Sequence, residues 1–363
     1  MTRPVRATIN TAALAYNLSI AKVAAPNSKI MAVIKADGYG HGIVEVAKAL
    51  ADADAFAVAS LDEALTLIDS GIQTPLVLLE GIFDASELQL AIDHNIEITL
   101  HDHSQLHWIQ QANLNASLSA WIKFDTGMHR LGFDPADYDQ LIQAIDKMPS
   151  ISSALGLMSH FACADEPERI ESKQQSDIFE SLAIKHSGKK SLANSAGLLS
   201  RDNAHYDWVR PGIMLYGSSP FAYRDAYPTE LKPVMSLTTQ LIAVRQVKKG
   251  EAIGYGGNCV CEKDTTVGVA AIGYGDGYPR HAPTGMPVYV NAKRCYLVGR
   301  VSMDMITIDL AHSPHAQVGD EVELWGECLS VNEVADFAGT ISYELFCNIT
   351  PRVKRYYQSK GVS

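Results

Sequence analysis

Eight short apolar runs, most of them separated by helix-like stretches, occupy the first two-thirds of the chain. They fall at 29–35, 55–60, 76–81, 96–101, 120–126, 154–160, 190–194 and 211–216. The runs are continuous rather than alternating, as expected of strands covered on both faces of a parallel sheet. The intervening segments look amphipathic; one example runs from Leu61 to Ile68 and stops at Gly71. Eight strand–helix units in roughly 200 residues predict an α/β chain closed into a (β/α)8 TIM barrel rather than an open doubly wound sheet. No GxGxxG turn with a downstream acid follows the first run, which also disfavours the open sheet.

Past about residue 230 the pattern changes to short β-branched segments, at 241–244, 266–270, 287–290 and 305–308. Gly250, Gly256-Gly257, Gly275, Gly277 and Gly319-Asp320 mark turns between them. The expectation is a barrel over 1–230, a β-rich C-terminal domain over 231–363, and a hinge bracketed by Pro228 and Pro233. A chain of 363 residues has room for both.

The formal net charge of −11 argues against nucleic acid or an anionic membrane surface as partner. No signal-type apolar core follows the N-terminus and no apolar run approaches membrane-spanning length, so the reading is cytoplasmic. Six cysteines in a chain this long do not make a disulfide framework. Cys259-Val260-Cys261 is too tightly spaced for a zinc knuckle. A helix starting near Ser104 puts His101, His103 and His107 on different faces, so no metal is assigned.

In a barrel, chemistry gathers where strands end. Lys35, Asp125, Arg130, His160, Asn194-Ser195 and Arg210 all lie at such ends. Lys35 closes the run Ile30–Ile34, and burial there favours the neutral, nucleophilic amine. Gly38, Gly40 and Gly42 imply a sharp turn with room for something to approach the backbone, such as a phosphorylated ring. The residues alone leave a catalytic amine and a loop lysine equally open.

A pyridoxal phosphate site needs a lysine, phosphate donors, a group facing the pyridine nitrogen, and acid–base partners. Asn194-Ser195-Ala196-Gly197 and Arg210-Pro211-Gly212-Ile213 offer phosphate donors, though each also reads as an ordinary cap or turn. Arg210, just before an apolar run, needs an acceptor: a carboxylate, a phosphate, or a ring nitrogen. In the last case it cannot protonate the ring, which stays a weaker electron sink.

Nine segments, in order, then make the chain resemble the alanine racemase family: 32–42, 123–133, 158–162, 194–196, 209–217, 254–256, 273–278, 299–304 and 343–344. The resemblance implies pyridoxal 5'-phosphate as cofactor and alanine as substrate, interconverted between its L and D forms. Lys35 matches the lysine that holds the cofactor and exchanges the proton of D-alanine; Tyr255 matches the base for L-alanine. His160 and Arg210 match the pair that assists, and Asp304 a further supporting residue. Tyr39, Ser195, Gly212, Ile213 and Tyr343 match phosphate contacts; Arg130 and Met303 match substrate contacts. Tyr274, Arg280 and Arg300 match the entrance.

The resemblance also implies a head-to-tail homodimer with shared sites, and a carbamylated Lys123 that orients Arg130. An unmodified Lys123, paired with Asp125 or pointing to solvent, is the alternative. The implied role is D-alanine supply for peptidoglycan, or D-alanine catabolism. Rival readings are a barrel-type decarboxylase, which places a carboxylate where Arg210 stands, a cofactor-homeostasis protein lacking the β domain, and a binding scaffold.

Overall fold

The computed structural model describes residues 3–223 and 229–359. Eight parallel strands close a barrel: β2 (Lys29–Val33), β3 (Ala55–Val58), β4 (Leu76–Leu78), β5 (Glu97–Leu100), β6 (Ala120–Lys123), β7 (Gly156–Met158), β8 (Lys190–Asn194) and β9 (Trp208–Arg210). They follow β1 (Arg6–Asn10) and pair in sequence order, with β9 returning to β2. All residues of β3, β4, β6 and β7 are buried, which explains their unbroken apolar character. The helix Leu61–Asp69 covers the expected segment, capped by Ser60.

The eighth strand is a correction. The apolar run at 211–216 is not a strand; β9 precedes it, and Ile213–Tyr216 forms a 3-10 turn. Pro211 has no N–H for a ladder, and the run is apolar because it packs under the helix Thr11–Ala24. Asn17 of that helix donates to the Leu215 carbonyl at 3.0 Å.

The remaining strands are β10 (Met235–Val247), β11 (Ala252–Ile253), β12 (Cys259–Val260), β13 (Thr265–Ala270), β14 (Pro287–Val290), β15 (Lys293–Leu297), β16 (Ile306–Asp309), β17 (Glu321–Trp325) and β18 (Lys354–Gln358). An eight-stranded sheet runs β13-β16-β15-β14-β17-β10-β1-β18. Thus Arg6–Asn10, counted with the barrel by sequence position, lies in the C-terminal sheet between β10 and β18. β11 and β12 form a separate ribbon. Of the expected hinge, Pro228 lies outside the described residues; Pro233 directly precedes the backbone bond from Asn10 N–H to the Val234 carbonyl at 2.8 Å.

One apolar core runs from the barrel into this sheet, joining Trp121 and Phe56 to Trp325 and Tyr278. Among the described residues no helix is long and apolar enough to cross a membrane. The histidine-rich segment forms a cap: Asp102 accepts from Ser104 N–H at 2.8 Å and begins the helix His103–Gln111.

Candidate active site

Lys35 opens one turn of left-handed helix. Ala36, Asp37 and Gly38 have φ/ψ of 53/54°, 53/45° and 60/46°, and Tyr39 has φ 51°. Each non-glycine residue held this way costs about 1–2 kcal/mol. Local bonds hold the turn: Gly38 N–H to the Ile34 carbonyl and Gly40 N–H to the Ala36 carbonyl, both 2.9 Å. Glu63 adds an anchor, its carboxylate accepting from Ala36 N–H at 2.7 Å and Ala59 N–H at 2.8 Å.

The glycines of this segment make room for protein, not for an outside molecule as the sequence suggested. A Cβ on Gly38 would lie 2.9 Å from Val46, on Gly40 2.1 Å from the Phe346 carbonyl oxygen, and on Gly42 2.0 Å from the Tyr357 hydroxyl.

At the carboxyl ends of the barrel strands lies a cavity of about 380 Å³. Its walls include Lys35, Tyr39, Lys123, Arg130, His160, Ser195, Arg210, Gly212, Ile213 and Tyr343, ten residues that the sequence had singled out. Glu80, which it had not, is the one carboxylate among the lining residues. Its Oε1 accepts from Lys35 Nζ at 2.9 Å, while its Oε2 is buried with no partner among the described residues. His101, from the histidine-rich segment, places Nε2 3.0 Å from the Glu80 carbonyl oxygen.

Arg210 is buried and, among the described residues, hydrogen-bonds only neutral groups. Nη1 donates to Ser191 Oγ, and Nη2 to the carbonyls of Ser159 and Leu192, the latter at 3.1 Å; Nη2 also lies 3.3 Å from His160 Nδ1. Nε–H has no protein acceptor among the described residues. Burial without a counter-ion pulls the guanidinium down to about 9, still charged at neutral pH. Burial, then Arg210 and Lys123, hold His160 well below 6.5, so its ring is neutral.

Lys123 is buried, neither solvated nor paired with Asp125. That carboxylate instead accepts the N–H groups of Gly127, Met128 and His129 at 2.9–3.0 Å. Burial and then the Arg210 and Arg130 charges pull the Lys123 amine down to about 8.

After β8, Ser195 begins the helix Ser195–Ser200, capped by Asn194 through Gly197 N–H at 3.0 Å. Ser195 Oγ accepts from Gly212 N–H at 2.8 Å. A Cβ on Gly212 would reach 2.6 Å from the Tyr39 hydroxyl. Tyr39 stacks on Tyr216 at 4.6 Å and lies 5.9 Å from Tyr343. Three hydroxyls and four cationic side chains, among them an arginine with a spare N–H, fit an anionic, phosphorylated aromatic ring.

The other expected residues are not in this cavity. Tyr255 lies on the turn between β11 and β12 and is 68% exposed; Met303 is 52% exposed. Asp304 pairs with Arg352, and with Arg3 at 3.3 Å. Tyr274 and Arg280 line a separate cavity of about 340 Å³ with Glu344. Arg300 lies beside the Tyr255 turn, 3.3 Å from where a Cβ on Gly256 would sit.

A barrel with a cationic, lysine-bearing cavity joined to a β domain defines a class of enzyme, and likeness to known proteins narrows it. The alanine racemase N-terminal domain family matches residues 9–220, and its C-terminal domain family matches residues 234–357. The chain belongs to the alanine racemase family. It is 50% identical over 350 residues to the alanine racemase of Nitrosococcus oceani, covering 96% of this chain and 98% of that one. To that of Vibrio atlanticus it is 48% identical over 351 residues, covering 97% and 98%. The structure of the biosynthetic alanine racemase of Pseudomonas aeruginosa superposes with a TM-score of 0.95 at 46% identity, covering 98% and 100%. That from Acinetobacter baumannii gives 0.92 at 38% identity, covering 98% and 100%.

Proposed function

We propose that the protein interconverts L- and D-alanine with pyridoxal 5'-phosphate held at Lys35. The observation that carries this reading is Arg210, a buried cation with neutral protein partners, in the same cavity as Lys35. A decarboxylase of the rival type places a carboxylate at that position, and a homeostasis protein lacks the β domain. Tyr39, Ser195, Gly212, Ile213 and Tyr343 would hold the phosphate, and Arg210 would face the ring nitrogen. When bound, the cofactor draws electrons from the alanine Cα and makes its proton acidic.

Lys35 Nζ moves the proton on one face of Cα. A second base must serve the other face, because one group cannot reach both sides of a planar centre. Tyr255 fills that role, with a hydroxyl that is solvated in the single chain. Since Tyr255 and Met303 are exposed away from their own cavity, they serve the cavity of a second copy, in a head-to-tail homodimer with two shared sites. Asp304 supports Met303, while Tyr274, Arg280 and Arg300 form the entrance.

Neutral His160, bonded to Arg210, keeps that guanidinium oriented. Arg130 takes the substrate carboxylate, steadied by a carbamate on Lys123. The reaction takes place in the cytoplasm and supplies D-alanine for peptidoglycan.

The decisive experiment is a racemisation assay across several amino acids, with and without added pyridoxal phosphate. Conversion of alanine, a yellow protein and a colourless, inactive Lys35→Ala variant are expected. Loaded protein that leaves L-alanine unchanged overturns the proposal.

A further inference from the structure

The left-handed turn that begins at Lys35 is braced by β18, the last strand among the described residues. Arg355, on β18, donates from Nε to the Gly40 carbonyl at 2.7 Å, and its Nη2 lies 3.2 Å from Asp37 Oδ2. Both contacts land on residues with positive φ, 53° at Asp37 and 74° at Gly40. Two residues further along, the Tyr357 hydroxyl donates to the His41 carbonyl at 3.1 Å, in the space that a Cβ on Gly42 would fill. The Phe346 carbonyl closes on Gly40 in the same way.

We infer that Arg355 is a positioning residue that holds the turn from Lys35 to Gly40 in the shape that receives the cofactor. The inference rests on the reading of Lys35 as the cofactor's lysine. Ala36, Asp37 and Tyr39 are left-handed without the glycine freedom that makes such φ values cheap. Ala36 and Asp37 are exposed, so core packing does not fix them. Arg355 grips the turn at a side chain and at a carbonyl three residues on, a two-point hold that opposes relaxation toward right-handed φ. Lys35 and Tyr39 sit at the two ends of that turn, and both line the cavity.

The test uses the full chain and two readouts. The first is hydrogen exchange at the Gly38 and Gly40 amides without cofactor; the second is titration with pyridoxal phosphate. Arg355→Ala should speed exchange and weaken cofactor affinity, each by about tenfold, the scale of a lost charge-assisted bond. Arg355→Lys, which keeps the charge near Asp37 but not the Nε–H, should fall between. Adding Ala36→Gly to Arg355→Ala should recover several-fold in both readouts, because glycine accepts φ 53° at an exposed position. An arginine that merely secured β18 on β1 would show no such rescue.

Unchanged exchange and affinity in Arg355→Ala, or no recovery with Ala36→Gly, overturns the inference. If Arg355→Ala does not fold, Arg355→Lys with and without Ala36→Gly decides by the same two readouts. If the wild-type chain takes up no cofactor, the functional reading fails, and the exchange measurement still decides on Arg355.

Discussion

Glu80 and Lys35 meet at 2.9 Å in a cavity whose other charged walls, Lys123, Arg130 and Arg210, are all cationic. The pair lies at the ends of two different barrel strands. While Lys123 is unmodified, Glu80 is therefore the group that an incoming phosphate meets as a like charge. Glu80→Gln keeps the shape and removes the charge. Pyridoxal phosphate uptake should become several-fold faster at low ionic strength and converge with wild type as salt is raised. Stopped-flow absorbance measures it; equal rates at low salt reject the idea.

If Tyr255 serves a second copy, two inactive variants can repair each other. Lys35→Ala and Tyr255→Phe should each lose about 100-fold or more in alanine racemisation. Unfolded together and refolded in equal amounts, they should regain about a quarter of wild-type activity, since half the dimers are mixed and each mixed dimer has one intact site. No gain on mixing, with dimers present by light scattering, rules out the shared site.

Lys123 joins a lowered amine pKa, about 8, to a position among cations. Its neutral fraction grows as pH rises through that value, and carbon dioxide reacts with the neutral amine. With labelled carbon dioxide held at a constant dissolved concentration, a carbamate carbon signal should appear in the NMR spectrum, formed faster above pH 8 than well below it, and absent in Lys123→Gln. Electron density ending at Nζ would sink the carbamate.

His41 gives a pH dependence of stability. It is fully buried, with Nδ1 2.8 Å from the Tyr39 carbonyl and Nε2 without a partner, and burial pulls its ring down to about 4 from 6.5. Between those values the unfolded chain binds the extra proton. The stabilisation is therefore complete above pH 6.5 and is lost as pH falls through about 4, on the order of 3 kcal/mol in all. His160 shifts in the same direction. Denaturant unfolding of His41→Gln should show a shallower fall in stability toward acid pH than wild type; an equal slope would acquit His41.

The barrel was legible because each strand's apolar run reflects burial on both faces, and much of the cavity was legible because polar residues end those runs. Glu80 ends Leu76–Leu79 in the same manner as Lys35 ends Ile30–Ile34, and that pattern could have found it. The run at 211–216 misled because burial under a helix looks the same in sequence as burial in a strand. β1 left little local trace: five residues with two buried, pairing with strands more than 200 positions away. The glycines after Lys35 announced a close approach without naming what approaches. That information resides in Phe346 and Tyr357, some 300 residues downstream.

The parallel pairing of β1 with β18, Ile9 opposite Tyr357, sets an order on biosynthesis. A nascent chain has all eight barrel strands once Arg210 has emerged, yet Gly40 and Asp37 still await Arg355. β1 is not enclosed until β18 arrives. On the ribosome, the lysine turn is therefore synthesised some 300 residues before the arginine that secures it.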